Sequence, residues 1–335
     1  MPSYRKICIY GAGALGGSVA AKLASAQDGE TTVSVIARGA HLDAIRENGL
    51  TLIEHGVETP RTVRVAATDD ARDLPPQDLI ITGLKGHQLA DAAPGMAHLL
   101  KQDARIVMIL NGIPWWYFYR DTQSGHADRQ LETLDPGGAL WRLVGPDRVI
   151  GCVAHQGGRI AAPGTVQLTN RGSFILGEPT GETTPDIEAI AALFSRAELE
   201  ARISTRIRND IWSKLMGNTS FNPISALTRS PMHDIMADAG LTEMIGRIMR
   251  EVQAVGEALG SKIDISVEQR LQQARAIGPV KTSMLQDLLA GKPLEITPIV
   301  GIVPTLGRLA GIATPVTDMV LSLVTVLDRQ NQLAS

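Results

Sequence analysis

Four short apolar runs set the rhythm of the first third of the chain: Lys6–Tyr10, Thr32–Ala37, Asp78–Leu84 and Arg105–Leu110. Each is rich in β-branched or aliphatic residues and is bounded by Gly or Pro. Ala14–Ala26 reads as a helix between the first two runs, and His87–Leu100 is helix-compatible between the last two. Short strands without polar alternation, separated by helices, predict a parallel sheet covered on both faces. Arg148–Ala154, Thr165–Leu168 and Ser173–Leu176 follow with no helix between them, which predicts a hairpin-like extension of that sheet. Asp186–Ala197 then reads as one more helix and Leu199–Ser204 as one more strand.

Beyond Thr205 the period changes. Leu241, Met244, Ile245, Ile248, Met249, Val252 and Val255 recur every three or four residues, the signature of one apolar helix face. Ile211–Leu227, Val267–Ala276, Leu294–Leu309 and Val316–Leu327 are also helix-like, with Gly and Pro between them or at their ends. The expected division is an α/β domain over 1–205 followed by an all-α domain over 206–335. No internal repeat or low-complexity segment interrupts either part.

Composition narrows the class. With 335 residues, 44% hydrophobic and 20% charged, the chain has material for two cores, so disordered, collagen-like and coiled-coil readings fall away. The 32 basic and 35 acidic residues leave a net charge of −3, with no block of like charge. Nucleic acid and anionic lipid are therefore not expected partners. Cys8 and Cys152 are the only cysteines, too few for a disulfide framework or a Cys-rich zinc site. A reducing, cytoplasmic setting is expected, and no metal. Arg5, Lys6, the apolar Ile7–Ala21 and Ala24-Ser25-Ala26 imitate a secretory signal, but Gly11, Gly13, Gly16 and Gly17 suit a turn better. No run of about 20 apolar residues free of Pro and charge suggests a membrane span.

The candidate chemistry begins where the first strand ends. Gly11-Ala12-Gly13-Ala14-Leu15-Gly16 follows that strand directly and opens the first helix. In this context Gly11 permits a tight turn, Gly13 the approach of a pyrophosphate and Gly16 close helix–strand packing. Helix N-terminal N–H groups would hold the phosphates. The second strand ends Ile36-Ala37-Arg38-Gly39, without the acidic residue that bonds a ribose 2′-hydroxyl. A guanidinium there suits a 2′-phosphate, so NADP(H) is the expected cofactor. Lys85 and Gln88, in Lys85-Gly-His-Gln88 at the end of the third run, are placed to face it; His87 reads as a surface residue. Asn111-Gly112 ends the fourth run and is open to two readings, a plain turn or a contact to the nicotinamide ribose.

In the second half, Lys214, Asn218 and Asn222 are spaced i, i+4, i+8 and line one helix face. An ammonium beside two carboxamides makes an anion and carbonyl site. Lys supplies a proton or a charge, and Asn supplies donors and acceptors without competing for that proton. Spacing alone also fits a solvated polar stripe. Downstream lie Ser283-Met-Leu-Gln286-Asp287 and then Glu295, between Leu294 and Ile296. A carboxylate in such apolar company either orients the lysine or bonds a substrate hydroxyl.

Taken together these residues resemble the ketopantoate reductase (2-dehydropantoate 2-reductase) family, over essentially the whole chain. The cofactor half matches in GAGALGG at 11–17, Arg38, Lys85-x-x-Gln88, Asn111-Gly112 and Gly151…His155. The substrate half matches in Trp212-x-Lys214-x-x-x-Asn218-x-x-x-Asn222-Pro223 and Ser283-Met-Leu-Gln-Asp…Glu295. The glycine motif is common to many dehydrogenases; the Lys-Asn-Asn helix followed by Ser…Glu is specific. The resemblance implies a Rossmann-like first domain and a helical second one. It also implies hydride transfer from NADPH to the C2 carbonyl of 2-dehydropantoate, giving pantoate for pantothenate synthesis. Lys214 would be the general acid, with Asn218, Asn222 and Ser283 on the substrate's oxygens and Glu295 beside substrate and cofactor. The residues at 11–16, Arg38, Lys85, Gln88, Asn111 and Gln156 would hold the cofactor. A small 2-keto acid is then the expected partner, and a homodimer the candidate assembly.

Three departures from the family pattern stand out. Ile113-Pro-Trp115-Trp116-Tyr117-Phe118-Tyr119 replaces the usual short polar stretch with a Glu after Asn-Gly, and an apparent insertion, about 120–141, follows. The further Asn often found about ten residues after the second helix Asn is missing, where Ser230-Pro-Met232-His233 stands instead. Five consecutive aromatics cannot all face a core on a strand or helix period. The rings are therefore open to two readings: they lie near the substrate cleft or over a partner surface, with at least one of Trp115 and Trp116 bordering and reshaping the cleft, or they pack the insertion onto the first domain as core. Two competing readings remain: a reductase of a bulkier 2-keto acid, and an NADPH-binding sensor without turnover.

Overall fold

A computed structural model describes residues 3–26, 29 and 31–334. The described chain forms two compact units, Met1–Leu110 with Gln130–Ile207, and Asn111–Arg129 with Arg208–Ser335. Segment 111–129 thus belongs with the helices, although a single cut near Thr205 would leave it in the α/β part.

The first unit opens with β1 (Lys6–Tyr10), α1 (Ala14–Ser25), β2 (Thr32–Ile36) and α2 (Gly39–Asn48). Three short strands follow, β3 (Leu50–Ile53), β4 (Arg61–Val63) and β5 (Ala66–Thr68), then β6 (Gln77–Thr82), α3 (Leu89–Leu99) and β7 (Leu100–Ile109). After residue 130 come α4 (Ala139–Leu143), β8 (Val149–Ala154), β9 (Gly158–Ala162), β10 (Thr165–Leu168), β11 (Ser173–Gly177), α5 (Pro185–Arg196) and β12 (Glu200–Ile203). The main sheet runs β12-β11-β8-β7-β6-β1-β2-β5. It is parallel except where β11 meets β8. Ile7, Cys8, Ile9 and Tyr10 are all buried, as are all six residues of β8. Burial on both faces is why these strands carry no polar alternation.

The predicted extension is half right. β11 does turn back antiparallel on β8, but β10 leaves for a second sheet, β4-β3-β10-β9. The reason is its pattern: Val166 and Leu168 are buried while Thr165 and Gln167 are not, so only one face seeks cover. Val166 finds it against α1, where a Cβ on Gly17 would meet its Cγ1 at 2.8 Å.

The second unit contains α6 (Ile207–Thr228), α7 (Met232–Ala237), α8 (Ala239–Ala258), α9 (Val267–Arg275) and α10 (Ser283–Leu289). A π-helical turn, Thr297–Gly301, leads into α11 (Ile302–Ala310), and α12 (Pro315–Ala334) closes the chain. The periodic face of α8 is core at Ile245, Ile248, Met249, Val252 and Val255, whereas Met244 is exposed. The helix expected over Leu294–Leu309 starts late, because the π turn takes its first part.

The aromatic segment follows the core reading and not the cleft one, but its core is that of the helical unit. Trp115, Trp116, Tyr117 and Phe118 are all buried, the two tryptophans at 1% exposure each, so neither borders an open cleft. Consecutive rings can all be buried because the segment is neither strand nor helix. Tyr117, Tyr119 and Asp121 donate backbone N–H to the carbonyls of Pro114, Trp116 and Phe118, a run of tight turns that throws consecutive rings in different directions. From α6, Arg208 donates to the carbonyls of Tyr117 (2.7 Å) and Tyr119 (2.8 Å), and Trp212 Nε1 donates to Tyr117 Oη (2.7 Å). One helix face, at i and i+4, staples the segment into the helical unit.

Candidate active site

In the first unit the glycine loop is shaped by backbone crowding. Gly11 has φ +101°, and a Cβ on it would meet Leu84 Cδ2 at 2.8 Å. A Cβ on Gly16 would run into the Gly11 carbonyl oxygen, and one on Gly83 into the same atom. A Cβ on Gly13 would have only the Gly83 oxygen near it, at 3.8 Å, so the space over Gly13 is open. Gly11 and Ala12 donate their N–H groups to the Ile36 carbonyl, each at 3.1 Å. That leaves the donors at the start of α1, whose N-cap, Gly13, supplies no side-chain cap. N–H groups of a first helical turn have no intrahelical partner and suit a phosphate.

His41, which sequence reasoning missed, braces this loop from α2. Its Nδ1 accepts from the Gly164 N–H (3.0 Å), which leaves Nε2 to donate to the Ala12 carbonyl (2.9 Å). The ring is therefore neutral, and burial lowers its pKa from the ordinary 6.5. Arg38 is the exposed N-cap of α2, and among the described residues its side chain makes no hydrogen bond or ion pair. Lys85 ends the loop after β6, and its backbone N–H donates to Gln88 Oε1 (3.0 Å), so Gln88 fixes that turn. Gln156 follows β8; its Oε1 is buried without a hydrogen-bond partner among the described residues.

The second unit draws together three residues that lie far apart in sequence. Lys214 Nζ donates to Asn111 Oδ1 at 2.7 Å, and Asn111 Nδ2 donates to Glu295 Oε2 at 3.4 Å. Glu295 is 8% exposed. The π turn arranges this meeting. Its Pro298 carbonyl accepts from the Ile113 N–H (3.0 Å), and its Ile299 carbonyl accepts from Thr219 Oγ1 of α6 (2.7 Å). Gly112, at φ +81°, passes so close to Pro298 that a Cβ would strike the carbonyl. The Asn111 turn, the lysine helix and the Glu295 segment are thus fastened to two consecutive carbonyls, the kind of irregular helix that recurs at functional sites. No single motif in the sequence signals that anchor.

On the Lys214 face of α6, Asn218 is half-buried and Asn222 is 5% exposed. Asn222 Nδ2 is buried without a hydrogen-bond partner among the described residues. An amide donor left so is costly unless a ligand supplies the acceptor. Ser283, the first residue of α10, is exposed, and no hydrogen bond joins it to Lys214 or Glu295. Among the described residues no group of His, Cys, Asp and Glu could hold a metal, and no helix is long and apolar enough to cross a membrane.

Residues 7–181 match the family model Ketopantoate reductase PanE/ApbA, and residues 206–328 match that of its C-terminal region. The chain belongs to the ketopantoate reductase family. It is an NAD(P)-dependent oxidoreductase of the 2-dehydropantoate 2-reductase type. The 2-dehydropantoate 2-reductase of Mesorhizobium japonicum is 46% identical over 319 residues, 95% of this chain and 96% of that one. A candidate ketopantoate reductase from Ralstonia solanacearum has a solved structure at 38% identity and TM-score 0.92, covering 98% of this chain and 99% of its own. D-mandelate dehydrogenase, solved with NADH and anilino(oxo)acetate, aligns at TM-score 0.82 over 97% of this chain and 99% of its own; at 22% identity it shares the fold alone.

Proposed function

We propose that the protein reduces 2-dehydropantoate to pantoate with NADPH, in the cytoplasm and for pantothenate synthesis. The observation that carries the reading is the Lys214–Asn111–Glu295 relay. Its support from relatives is the Mesorhizobium japonicum enzyme, similar over nearly the whole chain.

When bound, NADPH supplies the hydride that reaches C2 of the keto acid. Every other task falls to the chain. Lys214 Nζ donates to the Asn111 amide, whose other end is held by Glu295, so the ammonium is aimed by a side chain that does not compete for its proton. As C2 gains hydride, its oxygen becomes basic; Lys214 stabilises the charge and then supplies the proton. Asn222 Nδ2 would donate to a substrate oxygen, with Asn218 and Ser283 on the remaining ones. The open space over Gly13 and the uncapped start of α1 fit a pyrophosphate. Arg38 fits a 2′-phosphate, since it is exposed, unpartnered and has no carboxylate at the strand end.

The bulkier-substrate reading drew chiefly on the aromatic segment, and the burial of Trp115, Trp116, Tyr117 and Phe118 takes away that part of its support. The sensor reading leaves the relay without a purpose. The test is a panel of 2-keto acids followed by loss of NADPH absorbance. Highest kcat/KM on 2-dehydropantoate is the expected result. A higher value on another keto acid would overturn the substrate, and turnover of none would overturn the reaction.

A further inference from the structure

Helix α9 turns two sides to its neighbours. Val267 and Leu271 lie over Gly246 of α8, where a Cβ would meet them at 4.0 and 3.7 Å. Arg270 points instead at α6. A Cβ on Gly217 would meet its Nη2 at 2.6 Å, its Nε at 3.1 Å and its Cζ at 3.3 Å, so the Nε–Nη2 edge of the guanidinium enters the notch that this glycine leaves. Gly217 is three residues after Lys214 and one before Asn218. Positions i and i+3 are surface neighbours on a helix, about 5–6 Å apart between Cβ positions. Arg270 therefore occupies the flank of the Lys214 stripe.

Its electrostatic setting is unusual for this protein. Arg105, in the other unit, is also desolvated, but it ion-pairs with Glu178 (2.6 Å) and Asp186 (2.9 Å). Arg208 spends its donors on two backbone carbonyls. Arg270 has a single side-chain partner, Gln273 Oε1 at 3.4 Å, and among the described residues no carboxylate stands within ion-pair range. Burial alone lowers its pKa. Arg270 is half-buried, and a guanidinium with five donors in a planar fork that gives up water without gaining an anion is costly. A carboxylate would satisfy it two bonds at a time.

A 2-keto acid carries such a carboxylate on the carbon next to its carbonyl. We propose that Arg270, seated over Gly217, binds the substrate carboxylate while Lys214 serves the neighbouring carbonyl oxygen. The inference rests on the reading of the protein as a 2-keto acid reductase and assigns that site its selectivity for acids. The glycine at 217 follows from it, because any side chain there would push the fork away.

The experiment compares 2-dehydropantoate with its methyl ester, which keeps the carbonyl and loses the charge. In Arg270→Met, KM for the acid should rise about ten- to hundredfold, the range of a charge-assisted bond. KM for the ester and affinity for NADPH should hold, so the preference for acid over ester collapses. Arg270→Lys should restore part of it. Gly217→Ala keeps the arginine in the chain but displaces its fork, and it raises helix propensity. It should nevertheless weaken acid binding, which a purely structural role of Arg270 does not predict, and it stands in if the Arg270 variants fail to fold. An unchanged acid-to-ester ratio in Arg270→Met, or in Gly217→Ala where the Arg270 variants do not fold, overturns the proposal. So does an equal loss on both substrates. If the unmutated protein prefers another 2-keto acid, the ratio is read on that acid and its ester; turnover of no 2-keto acid overturns the proposed reaction first and this inference with it.

Discussion

Asn111 joins two charged side chains through one uncharged amide, and the relay leaves distinct marks for mutation. Lys214→Ala should lower kcat about 10²–10⁴-fold, the usual worth of a positioned general acid. NADPH affinity, read by fluorescence titration, should stay within error, since Lys214 belongs to the helical unit and the glycine loop to the other. At Arg38, replacement by Asp should shift preference from NADPH toward NADH, and a wild-type enzyme indifferent to the two would refute the 2′-phosphate assignment. His41 gives a pH dependence whose sign follows from its tautomer. Its folded-state pKa lies below the ordinary 6.5, so the unfolded chain takes up the proton first as pH falls. The stability tied to this ring is whole above about pH 6.5 and declines as pH drops toward the lowered folded value. Melting temperatures across that window should show the decline, and His41→Ala should flatten it.

At the scale of elements, the π turn and the aromatic segment decide more than any regular helix. Trp115 and Trp116 are core, so substituting either by Ala should cost about 3–5 kcal/mol of unfolding free energy. The ranking among keto acids should not move; a changed ranking with little loss of stability would restore these rings to the substrate site. The central strands of the main sheet were legible because full burial writes itself as an unbroken apolar run; its edge strand β5, three residues long and only partly buried, was not. Strands β3, β4 and β9 were not, since each is short and half-exposed and β9 shows only one apolar residue of note, Ile160, which is itself exposed. Their partners lie more than a hundred residues away or across a turn, and nothing local announces them.

For the whole molecule, the composition of the second unit is the consequential finding. Residues 111–129 leave the α/β unit and supply the helices with four large buried rings. A fragment 208–335 should therefore lack a complete core. It should bind a hydrophobic dye and lose near-UV dichroism while keeping helical far-UV signal, the behaviour of a molten state. A cooperative, dye-silent melt from that fragment would show that the aromatic segment is dispensable to the fold.

The sequence by itself determined whatever depends on near neighbours. The glycine loop is local because a turn, a close approach and a helix start are all set within six residues. The Lys214–Asn218–Asn222 face is local because a helix repeats every 3.6 residues. The parallel sheet follows from which runs can be buried on both sides. Tertiary structure alone decided the encounters: Asn111 with Lys214 across 103 residues and with Glu295 across 184, and Arg270 in the notch over Gly217. Such meetings depend on one carbonyl at Pro298, one glycine at 112 and one at 217, each meaningful only once its distant partner is in place. A close approach is a property of two segments together, and neither segment's own pattern contains it.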